Sequence, residues 1–441
     1  MKNLVKLPAF YLCLVLFAVV LVLFEDRQEH SWDLNRPNGA PFRLPKIQSI
    51  TFNKSNVHAP HTSANASRTQ PPPAPLTTLA QTTGGTQLGE ASGVEAQLLP
   101  IKTILVWTFG YGGTTMGFGE GQAPFKTAGC EVDACLITGN RTLVPLDAFD
   151  AIMFHFRSLK ADNLPDKRSP HQRWVFWEME SASYVYQDPG LYNNLFNWTM
   201  TYRWDSDVGQ RYGIVYPIPS SSPSSSSSSP TTTTSASPSP GGLERDYAKG
   251  KTKMAAWFVS NCFTISRREK IVKFIKKYIQ VDIYGKCGKL SCPRERTEEC
   301  YDMLSNHYKF YLSFENSLCK DYVTEKLFSV LRHDVVPVVL GGANYTSITP
   351  PHSIINVKDF PSIMGLINHL KYLDSNDTAY NEYFRWKKHY QVVDGWKSGA
   401  RSFCDLCKKL HKDQTPKVYS NMRDWFVEQG GCMRLDLRSA G

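Results

Sequence analysis

No long run of lysine or arginine occurs in this 441-residue chain, although 50 basic residues outnumber 40 acidic ones and the formal net charge is +10. Charge dispersed in this way suits an anionic ligand or an acidic membrane surface. With no binding module beside it, it argues against nucleic acid as a partner. His155, His333 and the other nine histidines show no metal-ligand spacing, and no serine or cysteine stands in a nucleophile context, so they read as structural or surface residues. Gly110, Gly112, Gly113, Gly117, Gly119 and Gly121 follow a strand-like run but lack the G-x-G-x-x-G spacing of a phosphate cradle, which leaves an adaptable ligand-facing loop. What is present is apolar mass: 41% hydrophobic and 12% aromatic residues are enough for two or three cores. The 11 cysteines, with sequons at Asn53, Asn65, Asn140, Asn197, Asn344 and Asn376, point to the secretory lumen.

From Leu7 to Phe24 no residue is charged, about the length a helix needs to cross a hydrocarbon core. Lys2 and Lys6 precede the run and Glu25 and Asp26 follow it. The positive-inside rule therefore leaves a cytosolic tail (1–6), a transmembrane signal anchor (7–24) and everything after it in the lumen, a single-pass type II topology. No small-x-small cleavage site precedes Glu25, which favours the anchor over a cleaved signal peptide. Residues 25–102 are rich in Pro, Thr, Ser, Asn, Gln and Gly with no sustained period, and read as a disordered stem. A second tract, 220–242, contains only Ser, Thr, Pro, Ala and Gly and reads as an exposed linker.

Between these tracts, short apolar runs alternate with helix-length intervals, the pattern of parallel strands covered on both faces. The runs begin at Ile104, Ala151 and Trp174 in 103–219, and at Ala255, Val281, Phe310 and Val335 in 243–390. Helices are expected near Ser266 to Ile279, where Ile271, Ile275 and Ile279 recur at i, i+4, i+8, and from about Asp321 to His333. The fold class is thus α/β, two doubly wound Rossmann-like domains facing a cleft, with a C-terminal segment (391–441) packing back. Ligands of such domains sit at the carboxyl ends of strands.

The stretch Phe314 to Leu327 lies where strand passes into helix, so free N–H groups and a helix N-terminus would face a diphosphate. Tyr322, Glu325 and Lys326 are spaced i, i+3, i+4 and offer an aromatic, a carboxylate and a cation on one face, as a sugar nucleotide requires; a solvated Glu/Lys face has the same spacing. The segment YKFYLSFENSLCKDYVTEKLF, with VDIYG upstream and VVPVVLGGANY downstream, resembles the donor-site signature of the α1,3-fucosyltransferases of glycosyltransferase family 10. RWVFWEMES followed by LFNWTMTYRWDSD resembles the acceptor-side motif of the same family.

The resemblance implies a GT-B fold and inverting transfer of L-fucose from GDP-L-fucose to the 3-hydroxyl of a GlcNAc residue on glycoprotein glycans. It also implies a Golgi membrane location with the catalytic domain luminal, and no obligatory metal, a divalent ion being at most stimulatory. By motif, donor binding falls to Asn316, Tyr322, Glu325, Lys326 and Arg268, with Arg267 one residue away. Arg268 and Lys326 would neutralise departing GDP, and Glu180 would be the base. Glu178, two residues earlier, faces the same side if the segment is a strand. Tyr202 and Arg203 would line the acceptor cleft, and Asn140, Asn197, Asn344 and Asn376 would carry glycans. Alternatives are an inverting GT-B transferase of another sugar and a luminal glycan-binding protein of the same fold without turnover.

Asp205-Ser206-Asp207 invites a metal-chelating reading but lies away from the donor signature, so no metal site is assigned. Cys404 and Cys407 form CxxC near His411 and Cys432, which admits zinc, redox exchange or structural disulfides, the last being favoured in an oxidising lumen. The resemblance implies bridges from such C-terminal cysteines to the first domain, where Cys130 and Cys135 are the candidates.

Overall fold

The computed structural model describes residues 49–50, 99–110, 113–115, 117–219 and 245–435. The expected tail, membrane span, nearly all of the stem and the Ser/Thr/Pro tract lie outside the described residues. Among those described, no helix is long and apolar enough to cross a membrane.

The first parallel sheet contains β1 (Lys102–Thr108), β2 (Cys135–Thr138), β3 (Ala151–His155), β4 (Arg173–Glu178), β5 (Trp198–Thr201) and β6 (Val208–Gly209), in the order β2-β1-β3-β4-β5-β6. Every residue of β3 and β4 is buried, so their continuous apolar runs reflect cover on both faces. The period of two sorts them. Ile104, Val106, Met153, Val175 and Trp177 pack on one side, against Phe403, Leu406 and Leu410 of the C-terminal helix. Leu105, Ile152, Phe154, Trp174 and Phe176 pack on the other, against Met422 and Phe426. Phe403 also stacks on Phe118 at 4.5 Å, so its truncation to alanine would cost about 3–5 kcal/mol.

The second parallel sheet holds β8 (Lys253–Phe258), β9 (Val281–Tyr284), β10 (Tyr308–Phe314), β11 (Val336–Leu340) and β12 (Ile355–Asn356), in the order β9-β8-β10-β11-β12. The order reverses between β8 and β10, which opens a crevice at their carboxyl ends. Helix α1 (Arg268–Ile275) buries Ile271, Val272 and Ile275 on this sheet. It begins two residues later than expected, because Arg267 adopts φ +56° immediately before it, and it ends at Ile275, short of Ile279. Helix α2 (Glu325–Leu331) begins four residues later than expected: Asp321 takes φ +62° and Thr324 is extended, so the chain turns before it can coil.

Two connections bind the sheets into one body. Strand β7 (Gly213–Pro217) pairs antiparallel with β13 (Tyr390–Asp394), and the chain then re-enters the first lobe as α3 (Gly395–Lys412). Disulfides Cys130–Cys404 and Cys135–Cys407 pin that helix to the first sheet. The implied bridges from Cys130 and Cys135 to the CxxC are therefore present. His411 lies beside Cys135 and Cys407, but both sulfurs are spent on each other, which removes the zinc reading. Cys262–Cys287, Cys292–Cys300 and Cys319–Cys432 complete the bridges.

Candidate active site

At the crevice of the second sheet lies a cavity of about 300 Å³ lined by Phe258, Asn261, Arg268, Tyr301, Asn316 and Lys326, among others. Its floor follows from the loop 315–324. Glu315 stands directly after the last residue of β10, fully buried, and its carboxylate accepts hydrogen bonds from the Thr324 N–H at 2.8 Å and from the Thr324 hydroxyl at 2.9 Å. The loop is thereby closed at both ends. Gly342 is needed beneath it, since a Cβ there would stand 2.3 Å from the Cys319 carbonyl oxygen. Lys326 Nζ reaches Thr324 Oγ1 at 2.8 Å, Glu325 Oε1 at 3.0 Å and Glu315 Oε2 at 3.5 Å. Burial opposes its charge, but the two carboxylates outweigh that and hold its pKa above the usual lysine value.

Arg268 is buried and donates to the Phe314 carbonyl, while its Nε has no partner among the described residues. Asn316 Oδ1, in the same wall, also lacks one. Buried polar atoms are almost always satisfied, so an orphan donor, Arg268 Nε, and an orphan acceptor, Asn316 Oδ1, beside Lys326 in one cavity suit a ligand that carries both anionic oxygens and hydroxyl or N–H donors. Arg267 is exposed, so the structure puts Arg268 and not its neighbour into the cavity. A larger cavity of about 420 Å³, walled by Tyr345, Pro350, His352, Asp359 and Tyr383, has no lysine or arginine in its lining to neutralise a diphosphate.

Glu180 approaches from the first lobe. Strand β4 ends at Glu178, so the two carboxylates do not share a strand face as the alternation suggested. Glu178 is fully buried and accepts the backbone N–H of Glu180 at 2.8 Å and of Arg157 at 3.1 Å; burial pushes its pKa up to about 8. Glu180 is half-buried, lies 3.5 Å from the Arg157 guanidinium, and accepts the Tyr322 hydroxyl at 3.2 Å from across the lobe boundary. Ser181 and Ser317 hydroxyls meet there at 2.6 Å. Glu180 is thus the partly accessible carboxylate, and Glu178 the support under its loop.

Other expected positions are corrected. Tyr322 precedes α2, is buried beside Tyr202 and Tyr212, and does not line the cavity; it orients Glu180 instead of offering a stacking face. Tyr202 and Arg203 are buried. The Arg203 guanidinium is spent on Asp205 and the Trp425 carbonyl, so neither residue presents a surface to an acceptor. Asp207 binds Lys417 at 2.6 Å and the Thr199 N–H at 2.9 Å, a structural use. Asn140 and Asn344 are exposed. Asn197 is half-buried, accepts the Trp174 N–H and donates to the Lys417 carbonyl, so in the folded chain it is a structural amide. Asn376 caps the following helix through the Ala379 N–H. The sequence reading passed over Glu315, Arg157, Tyr184 and Tyr301. A carboxylate placed directly after a strand dominated by aromatic and aliphatic residues was the one available signal, for Glu315.

The model for glycosyltransferase family 10 (fucosyltransferase), C-terminal part, matches residues 248–425, and the fucosyltransferase N-terminal model matches 100–213. The chain belongs to glycosyltransferase family 10. Within this family it is similar to "Alpha-(1,3)-fucosyltransferase C" of Drosophila melanogaster, 38% identical over 75% of this chain and 79% of that one. It is also similar to "4-galactosyl-N-acetylglucosaminide 3-alpha-L-fucosyltransferase 9" of Mus musculus, 34% identical over 74% of this chain and 82% of that one. A crystal structure of an alpha1,3-fucosyltransferase with GDP-fucose aligns with a TM-score of 0.45 at 16% identity, covering 73% of this chain and 93% of the other. As a family 10 member the protein is a glycosyltransferase.

Proposed function

We propose that the protein transfers L-fucose from GDP-L-fucose to the 3-hydroxyl of a GlcNAc residue on glycoprotein glycans, with inversion at the anomeric carbon. The two lobes form a GT-B arrangement, 243–390 binding the donor and 103–219 the acceptor. The observation that carries this reading is the pair of unsatisfied atoms, Arg268 Nε and Asn316 Oδ1, in one wall with Lys326. Arg268 and Lys326 take up the negative charge that gathers on GDP as its bond to the sugar breaks. The half-exposed Glu325 carboxylate is available to sugar or ribose hydroxyls. Glu180 accepts the proton of the 3-hydroxyl as that oxygen bonds the fucose carbon from the opposite face. Because two side-chain cations supply the charge, no metal is obligatory.

The apolar run 7–24 anchors the protein in the Golgi membrane with the lobes luminal. GDP release by the purified luminal part, with GDP-fucose or GDP-mannose and with or without a GlcNAc-terminated acceptor, tests the reading. Release should require GDP-fucose and rise with acceptor; equal release from both donors, or none above the acceptor-free rate, refutes it.

A further inference from the structure

With Tyr202 and Arg203 buried, no assigned residue receives the acceptor sugar. The loop after Glu180 contains one that can. Val185 is extended and buried, between half-buried Tyr184 and exposed Tyr186. Tyr184 meets Asn261 of the other lobe at 3.3 Å, whereas Tyr186 is 67% exposed. An exposed tyrosine ordinarily samples several rotamers, but this one is held: its hydroxyl accepts from Arg157 Nη2 at 3.0 Å, and the guanidinium carbon lies 4.9 Å from its ring centroid. The same Arg157 stands 3.5 Å from Glu180 through Nη1, and its backbone N–H is fixed by buried Glu178. One guanidinium therefore sets the distance between an open aromatic ring and the carboxylate.

We propose that Tyr186 is the platform on which the acceptor's pyranose ring rests, held by Arg157 in register with Glu180. The inference rests on the reading of Glu180 as the base and adds the specificity surface beside it. A rigid, amphipathic ring loses little entropy on contact and matches the apolar C–H face of a sugar, while sugar hydroxyls stay free for the neighbouring polar groups.

Steady-state kinetics on the luminal protein with a GlcNAc-terminated acceptor, beside calorimetric titration with GDP, tests it. Tyr186→Ala should raise the acceptor KM roughly tenfold and leave GDP affinity as in the wild type, and Tyr186→Trp should bring the KM back to within about threefold. An unchanged acceptor KM in Tyr186→Ala, or a parallel loss of GDP affinity, overturns the platform while the transfer reading stands. If the wild type itself shows no acceptor-dependent GDP release, the transfer reading falls and the platform with it.

Discussion

Glu178 and Glu180 show how two like residues acquire different work from their surroundings. The first is sealed beneath the end of β4 and receives two backbone N–H groups; the second meets solvent, Arg157 and the Tyr322 hydroxyl. Glu180→Gln should lower turnover by about 10²–10⁴ with GDP affinity retained, as loss of a general base does. Glu178→Gln should keep turnover within about tenfold, since it alters the support and leaves Glu180, the proposed proton acceptor, in place. Initial-rate assays beside GDP titration would read both; comparable losses in the two variants would contradict the division. Glu178 and Glu180 were both visible in the sequence, yet their difference was not. Alternation along a strand put them on one side, and only the ending of β4 at Glu178 separates them. Tyr322 and Arg203 misled for a related reason: an aromatic type in the one case and the family motif in the other suggested contact with sugar, and both side chains are buried.

At the level of elements, β3 and β4 carry two buried titratable groups at adjacent carboxyl ends. Burial, helped by the Arg157 charge, lowers the pKa of His155 from 6.5 to about 4, whereas burial raises Glu178 from 4.5 to about 8. The unfolded chain binds the extra proton at His155 between about pH 4 and 6.5, so that group makes stability rise with pH there. The folded chain binds the extra proton at Glu178 between 4.5 and 8, so that group makes stability fall. From pH 4.5 to 6.5 the two slopes cancel, and from 6.5 to 8 only the Glu178 slope remains, worth about 2 kcal/mol over that interval. Urea unfolding at pH 5 to 9 should show the wild type level to about pH 6.5 and declining above it, and Glu178→Gln rising to about pH 6.5 and level above it. An identical decline in both would remove Glu178 as its source. The central strands were legible, because runs such as Ala151–Phe154 must be apolar to be covered on both faces, whereas the short strands β2, β5, β6 and β12 were not. The start of α2 was not. Its apolar positions continue the helical period back to Val323, while the left-handed turn at Asp321 and the use of Thr324 by Glu315 are tertiary facts.

For the whole molecule, the pairing of cysteines matters most and was least readable, since spacing alone cannot choose among partners. Cys130–Cys404 and Cys135–Cys407 close loops of nearly equal length, 274 and 272 residues apart in sequence, between α3 and the short stretch that ends at the first residue of β2. Once one bridge holds, the second has little loop entropy left to remove. Replacing either pair with alanine should therefore cost less than about 2 kcal/mol, and replacing both about 4–5 kcal/mol, measured by urea unfolding. Equal and additive losses would show that each bridge acts through its own local packing.

The return of α3 to the first lobe gives the protein an unusual tolerance of cleavage. A protease that cuts once between residues 219 and 245 separates the polypeptide into two pieces, yet the amino-terminal piece carries Cys130 and Cys135 and the carboxyl-terminal piece carries their mates. Such a nicked molecule should migrate as one band on a denaturing gel without reductant and as two with it. Loss of the junction would go unseen until the thiols were freed.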